Sequence, residues 1–219
     1  MKLFNNNNIK RDIFILTTSE ITLSKELENG KEFSCKVCGA CCRGLLEGEV
    51  YLYRDDIVRL AKHLKFKGEL GLREFARKYV NIVGQTFYWK EPGAKRGRNY
   101  KFKTLAFKFT GDDEHCYFLD DNNLCTVHKA RPFQCRCFPW WRMMVNSSSG
   151  WKNLIDYSKK CPGLRDSLSN KGTFYSRDQI LKWAKREYKI EKTYFLEMKK
   201  NNFNIYSVYE FLPKNEEKS

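Results

Sequence analysis

No stretch of this chain approaches the ~20 consecutive apolar residues of a membrane-spanning helix. Its first residues, MKLFNNNNIKRDIFILTTSE, carry neither the apolar run nor the small-residue cleavage site of a secretory signal. The expectation is a soluble, cytoplasmic protein with no membrane span. Also missing are a glycine-rich strand-to-helix fingerprint for a nucleotide or S-adenosyl group and the C-x3-C-x2-C spacing of radical chemistry. No segment recurs at a fixed period. Acidic side chains are in short supply: 26 Asp and Glu stand against 41 Lys and Arg, for a net charge of +15. Such a field allows an acidic protein or a nucleic-acid partner. Lys and Asn are nevertheless spread along the whole chain, including the run Asn5 to Asn8, so a compositional bias accounts for the charge equally well.

What the chain does have is cysteine. At 219 residues and 42% apolar content it can bury one sizeable core, and within that length it carries nine cysteines. Cytoplasmic thiols are kept reduced, so clustered cysteines there serve metal or redox chemistry rather than structural disulfides. Cys35, Cys38, Cys41 and Cys42 fall close together, and Cys116, Cys125, Cys135, Cys137 and Cys161 follow after a long gap.

The string Cys35-x2-Cys38-Gly39-x-Cys41-Cys42 is a strong metal signal. Two thiolates separated by two residues can grip one ion across a tight turn, and the following glycine tolerates a positive φ. Adjacent Cys41 and Cys42 project to opposite sides in an extended segment, which favours two metal positions or one polynuclear centre. Cys116, Cys125, Cys135 and Cys161 bring the thiols to eight, enough for two four-sulfur sites, and leave Cys137 over. His115 and His128 lie beside the second set and are candidates to replace a thiol or to hydrogen-bond nearby, whereas His63 has no such neighbour. Thiolates around a divalent ion leave net negative charge, and Arg43, Arg131 and Arg136 are placed to offset it.

The rest of the sequence predicts an α+β fold: a small, irregular, metal-stabilised cysteine-cluster domain with a helical C-terminal appendix. Residues 1–30 read as an N-terminal extension with one strand at Ile13 to Leu16, residues 31–165 as the cysteine-cluster metal-binding domain, and residues 166–219 as the appendix. Val50 to Tyr53 reads as a strand. Asp55 or Asp56 caps a helix with Ile57, Leu60, Ala61 and Leu64 on one face, and a second helix near 71–83 carries Leu72, Phe75, Ala76, Tyr79, Val80 and Val83. Between Thr86 and Phe109, aromatics alternate with basic or polar residues, with a parity change near Thr104, which predicts a bulged strand or a hairpin. Arg142 to Val145 and Trp151 to Leu154, flanking Asn-Ser-Ser-Ser-Gly, read as a β-hairpin. Ser176 and Gln179 offer a capping box to a helix running to about Lys200.

Taken together, Phe33-x-Cys35-x2-Cys38-Gly39-x-Cys41-Cys42-Arg43, Val50, Asp56-Ile57, Cys116-x-Phe118-Leu119, Cys125-x2-His128-x2-Arg131-Pro132-x2-Cys135-Arg136-x-Phe138-Pro139 and Cys161-Pro162-Gly163 resemble the YkgJ-type cysteine-cluster proteins. The resemblance implies a zinc- or iron-chelating domain and no settled reaction. One branch of that family is similar to flagellin lysine N-methylases, which implies a metal-dependent protein-modifying enzyme as an alternative. The leading expectation is a protein that binds zinc or iron, including an iron–sulfur cluster, in a structural or redox role. A third reading, a nucleic-acid-binding module, draws on the basic and aromatic interleaving between Tyr88 and Phe109. The acidic loop Asp112-Asp113-Glu114 reads as a solvated turn.

Overall fold

Residues Val80 to Phe107 build the frame on which everything else is laid. Two ten-residue strands rich in β-branched and aromatic side chains, β3 and β4 below, fold back through the Pro92-Gly93 turn and pair antiparallel from Val80 with Phe107 to Trp89 with Arg98. The register runs without a bulge, so the parity change near Thr104 has another cause: Phe102, Thr104, Leu105, Ala106 and Phe107 are all buried. That end of the strand is covered on both faces, and alternation disappears where both faces are apolar.

A computed structural model describes residues 21–43, 49–111 and 114–213; Ile13 to Leu16, Asp112 and Asp113 lie outside them. In chain order the elements are β1 (Lys31–Phe33), β2 (Tyr51–Leu52), α1 (Arg54–His63), α2 (Gly68–Tyr79), β3 (Val80–Trp89), β4 (Arg98–Phe107), β5 (Phe109–Thr110), β6 (His115–Cys116), α3 (Phe133–Cys137), α4 (Arg142–Val145), α5 (Ser148–Asp156), α6 (Pro162–Leu168), β7 (Thr173–Tyr175), α7 (Arg177–Lys200) and α8 (Ile205–Val208). The fold is α+β with a helical C-terminal part. Its sheets are small: β2-β4-β3, β1 with β7, and β5 with β6, all antiparallel.

Three expectations need correction. The second helix stops at Tyr79 and Val80 opens β3, because Val80-Asn81-Ile82-Val83 can pair with β4 and β-branched residues favour that pairing over another helical turn. The stretch 142–154 forms two helices, α4 and α5, rather than a β-hairpin. Ser147 caps α5 by accepting from Gly150 N at 3.1 Å, and four-residue segments such as Arg142 to Val145 and Trp151 to Leu154 are too short to separate strand from helix by period. Finally, Asp55 and Asp56 lie inside α1, whose N-cap is Tyr53. The Asp56 carboxylate reaches back to the Tyr53 amide at 3.3 Å.

The core has two parts. The first gathers the hairpin, α1, α2, Phe118 and the C-terminal half of α7, where Phe195 meets Phe87, Trp89, Tyr100 and Phe102. The second gathers Leu27, Phe33, Trp140, Leu154, Leu164 and the N-terminal half of α7 through Ile180 and Ala184. Helix α7 therefore spans both. Its start carries the Ser176–Gln179 capping box, and midway Glu187 accepts from Arg142 N while Glu191 pairs with the Arg142 guanidinium at 2.9 Å. The rings at Phe87, Trp89, Phe102 and Phe107 are core, so the interleaving between Tyr88 and Phe109 is the signature of a hairpin with its apolar side covered.

Candidate metal centre

The first cysteine loop is shaped by two left-handed residues. Gly39 has φ 69°, and a Cβ there would stand 2.8 Å from the Asn123 carbonyl oxygen and 3.0 Å from Leu119 Cδ1. Glycine is needed both for the turn and for the approach. Val37 (φ 51°) folds the preceding residues so that its amide donates to Cys35 Sγ at 3.4 Å. A 3-10 turn, Ala40–Cys42, then closes the loop.

This loop is tied down at both ends. At its start, Lys36 pairs with Asp166 of α6 at 2.8 Å, and Ser34 Oγ accepts from Thr173 N at 3.0 Å. Gly163 lets α6 close on the same segment, since a Cβ there would lie 2.6 Å from Ser34 O. At its end, Arg43 donates through Nε and Nη2 to Asn123 Oδ1 at 2.9 and 2.7 Å. Asn123 belongs to a turn that Asp120 Oδ1 holds by accepting from Asn122 N and Leu124 N. Cys125 follows that turn, opposite Leu119 in an isolated β-bridge.

The late cysteines arrive on short, separately braced segments. Cys116 lies on β6 opposite Phe109. Cys135 rides on α3, whose first amide, Phe133 N, donates to Asp56 Oδ1 at 2.8 Å. The Arg59 guanidinium, itself paired with Asp56, donates to Arg131 O at 3.0 Å. Gln134 on the same short helix accepts from Tyr51 N at 2.8 Å and donates to Glu49 O at 3.0 Å. Cys161 immediately precedes Pro162, the first residue of α6.

The result is one cavity of about 70 Å³ lined by Cys35, Cys38, Cys41 and Cys42 together with Cys116, Cys125, Cys135 and Cys161. Cys137 does not line it; it is 0% exposed on α3 and is acted on by Glu187 and Glu191 of α7. Phe107, Val127 and Phe138 supply apolar wall, and His128 and Arg131 also line the space. His115 lies on β6, and His63 is exposed at the end of α1. Arg136 is turned to the Phe133 ring and away from the cavity. Glu114 is exposed.

Electrostatics inside the cavity are those of crowded thiols. The Cys41 S–H bonds Cys42, which with burial pushes the Cys41 thiol far up. The Cys42 S–H bonds Cys116, and that bond together with burial takes Cys42 up to about 12. Burial first, then Cys41, Cys42 and Cys125, push Cys135 well above the ordinary thiol value. Burial raises Cys125 and Cys161, partly offset by the Val127 amide at the first and by the Leu164 and Gly163 amides at the second. Arg131 pulls Cys41, Cys125 and Cys135 down. Burial and the Arg131 charge lower the His128 imidazole.

Hydrogen bonding between thiols at Cys41 and Cys42, and burial at Cys125, Cys135 and Cys161, hold these groups in the neutral form, and a cation among them favours the thiolates instead. This donor set suits zinc or iron, which are held by thiolate sulfur. The thiols line the space without closing on one point: among the described residues no three Cys, His, Asp or Glu side chains form a ready-made ligand group.

Arg59, Asn123 and Gln134 were not legible as parts of the site, and Asp56 was legible only as a helix cap and as a motif residue, not as the acceptor that braces α3. Asp56 is 2% exposed, on the buried side of α1 beside Ile57.

A cavity walled by thiols from distant segments defines a cysteine-cluster protein. The family model CxxCxxCC, “Putative zinc- or iron-chelating domain”, matches residues 34–162, more than half of the 219 residues, and the chain belongs to that family. No solved structure matches the chain. Among the described residues no helix is long and apolar enough to cross a membrane.

Proposed function

We propose that this protein binds zinc or iron through Cys35, Cys38, Cys41, Cys42, Cys116, Cys125, Cys135 and Cys161, and that the bound metal has a structural or redox role. The observation that carries this reading is the convergence of those eight cysteines on one cavity from separate segments of the chain. Zinc would supply a closed thiolate node that holds loops together, and iron would add one-electron chemistry.

The chain's own residues meet the needs of such a centre. Arg131 supplies positive charge beside three of the thiols, offsetting the negative charge that four thiolates leave around a dication. Phe107, Val127 and Phe138 exclude water from one wall. The Asp56–Arg59 pair fixes the backbone that carries Arg131 and Cys135.

The test is anaerobic purification of the full chain followed by metal analysis and an absorption spectrum. Zinc or iron in stoichiometric amount, lost on Cys-to-Ser substitution, is the expected result; thiolate-to-iron bands in the visible separate iron from colourless zinc. A folded protein that carries no metal and takes up neither ion under reducing conditions would overturn the reading.

A further inference from the structure

The loop bearing the first four cysteines is pulled in two directions. Its front half is fixed to the α6 region by the Lys36–Asp166 pair at 2.8 Å, by the Ser34–Thr173 bond at 3.0 Å and by the close approach of Gly163 to Ser34. Cys161 sits at the start of α6. Its back half is fixed to the turn before Cys125 by Arg43 on Asn123, and by Gly39 against Asn123 and Leu119.

The side chains divide along the same line. Cys42 packs with Cys116 and Cys125 against the hairpin core, whereas Cys161 belongs to the second core, where Ala40 also packs. Cys42 interacts with Cys116, Cys125 and its neighbour Cys41, and Cys161 with Cys38 and Cys41; Cys41, which also acts on Cys125 and Cys135, is the thiol within reach of both groups. Solvent access divides too. Cys35 and Cys38 are exposed, and Cys41 is exposed as a residue with its thiol turned in to Cys42; Cys42, Cys125 and Cys135 are half-buried and Cys116 is buried, while Cys161 is the one buried residue grouped with Cys35, Cys38 and Cys41.

We infer that the eight thiols form two separate and unequal four-sulfur positions. The outer one is built from Cys35, Cys38, Cys41 and Cys161, and the inner one from Cys42, Cys116, Cys125 and Cys135. The adjacent pair Cys41-Cys42 is the boundary, one sulfur going to each side. The outer position exchanges its ion with the medium, and the inner position keeps its ion and fastens the hairpin core to α3. This rests on the reading of the cavity as a thiolate metal centre and adds to it how the ligands are shared.

The partition is tested on the full chain loaded anaerobically with zinc, by following release to a chromophoric chelator and by counting ions per chain. The expected result is two ions leaving in two phases of equal amplitude, with rates differing by about tenfold or more. Cys38→Ser should remove the fast phase and one ion while circular dichroism stays that of the parent. Cys125→Ser should remove the slow phase and lower the melting temperature. Because the inner variant is at risk of misfolding, the outer variant carries the test alone if needed: its remaining ion must leave at the parent's slow rate. Release in a single phase, a single polynuclear centre, or loss of both ions in Cys38→Ser would overturn the partition while leaving the metal-binding reading intact. Failure of the parent chain to take up any zinc or iron would overturn both.

Discussion

Cys135 and Cys137 stand two residues apart on α3 and meet different surroundings: cavity thiols for the first, the α7 carboxylates for the second. Cys135→Ser should therefore lower metal content and melting temperature together, because the binding free energy of a site that does not pre-exist in the unfolded chain is folding free energy. Cys137→Ala should keep its metal and cost on the order of 1–2 kcal/mol from a small buried void. Metal analysis and denaturant titration of the two variants check this. Equal metal loss in both would contradict the ligand assignment. Asp56 makes a second residue-scale case. Asp56→Ala leaves Phe133 N without its acceptor and Arg59 without its partner, and should cost on the order of 2–4 kcal/mol by chemical denaturation. The clustering of the thiols was readable from spacing alone, since C-x2-C followed by an adjacent cysteine pair is the spacing of a turn that grips a metal. The role of Asp56 was not, because it depends on a backbone amide 77 residues away.

At the scale of elements, α7 and the hairpin are joined by Glu91. Its carboxylate accepts from Lys199, Tyr100 and Trp89, and in that order they hold its pKa down at about 2 against an ordinary 4.5. A depressed carboxylate contributes stability above its unfolded pKa and loses it as pH falls toward the folded value. The stability gap between parent and Glu91→Gln should thus be full at about pH 6 and narrow between about pH 4.5 and pH 2. Comparing denaturant midpoints of the two proteins pairwise at each pH cancels any common effect of acid on the metal. A gap that widened on acidification would refute the assignment. Helix α7 was legible because its capping box and its long apolar face agree. The pair α4–α5 was not, since segments of four residues fit either period and the deciding contact is the Ser147 cap.

At the scale of the whole molecule, the cavity lies on the seam between the two cores: Phe107, Cys116 and Val127 on one side, Phe33 and Cys161 on the other. Metal removal should consequently act unevenly. The hairpin and the second half of α7 retain a continuous aromatic core, while the segments around Phe33 and α6 lose a cross-link. Amide hydrogen exchange before and after chelation should show protection lost first near residues 31–43 and 161–175 and last in β3 and β4. Uniform loss across the chain would mean that the cores do not open separately. The span of the site along the chain also sets a schedule for synthesis. Cys38 and Cys41 meet Cys161 across the cavity, and at ~5–20 residues per second the ribosome delivers that last sulfur on the order of ten seconds after the first four. For that interval Cys35, Cys38 and Cys41 hang from a nascent chain without Cys161, free to join one another. A cell making this protein must keep those thiols reduced while the rest is translated, and oxidant stress should damage newly made molecules more than finished ones.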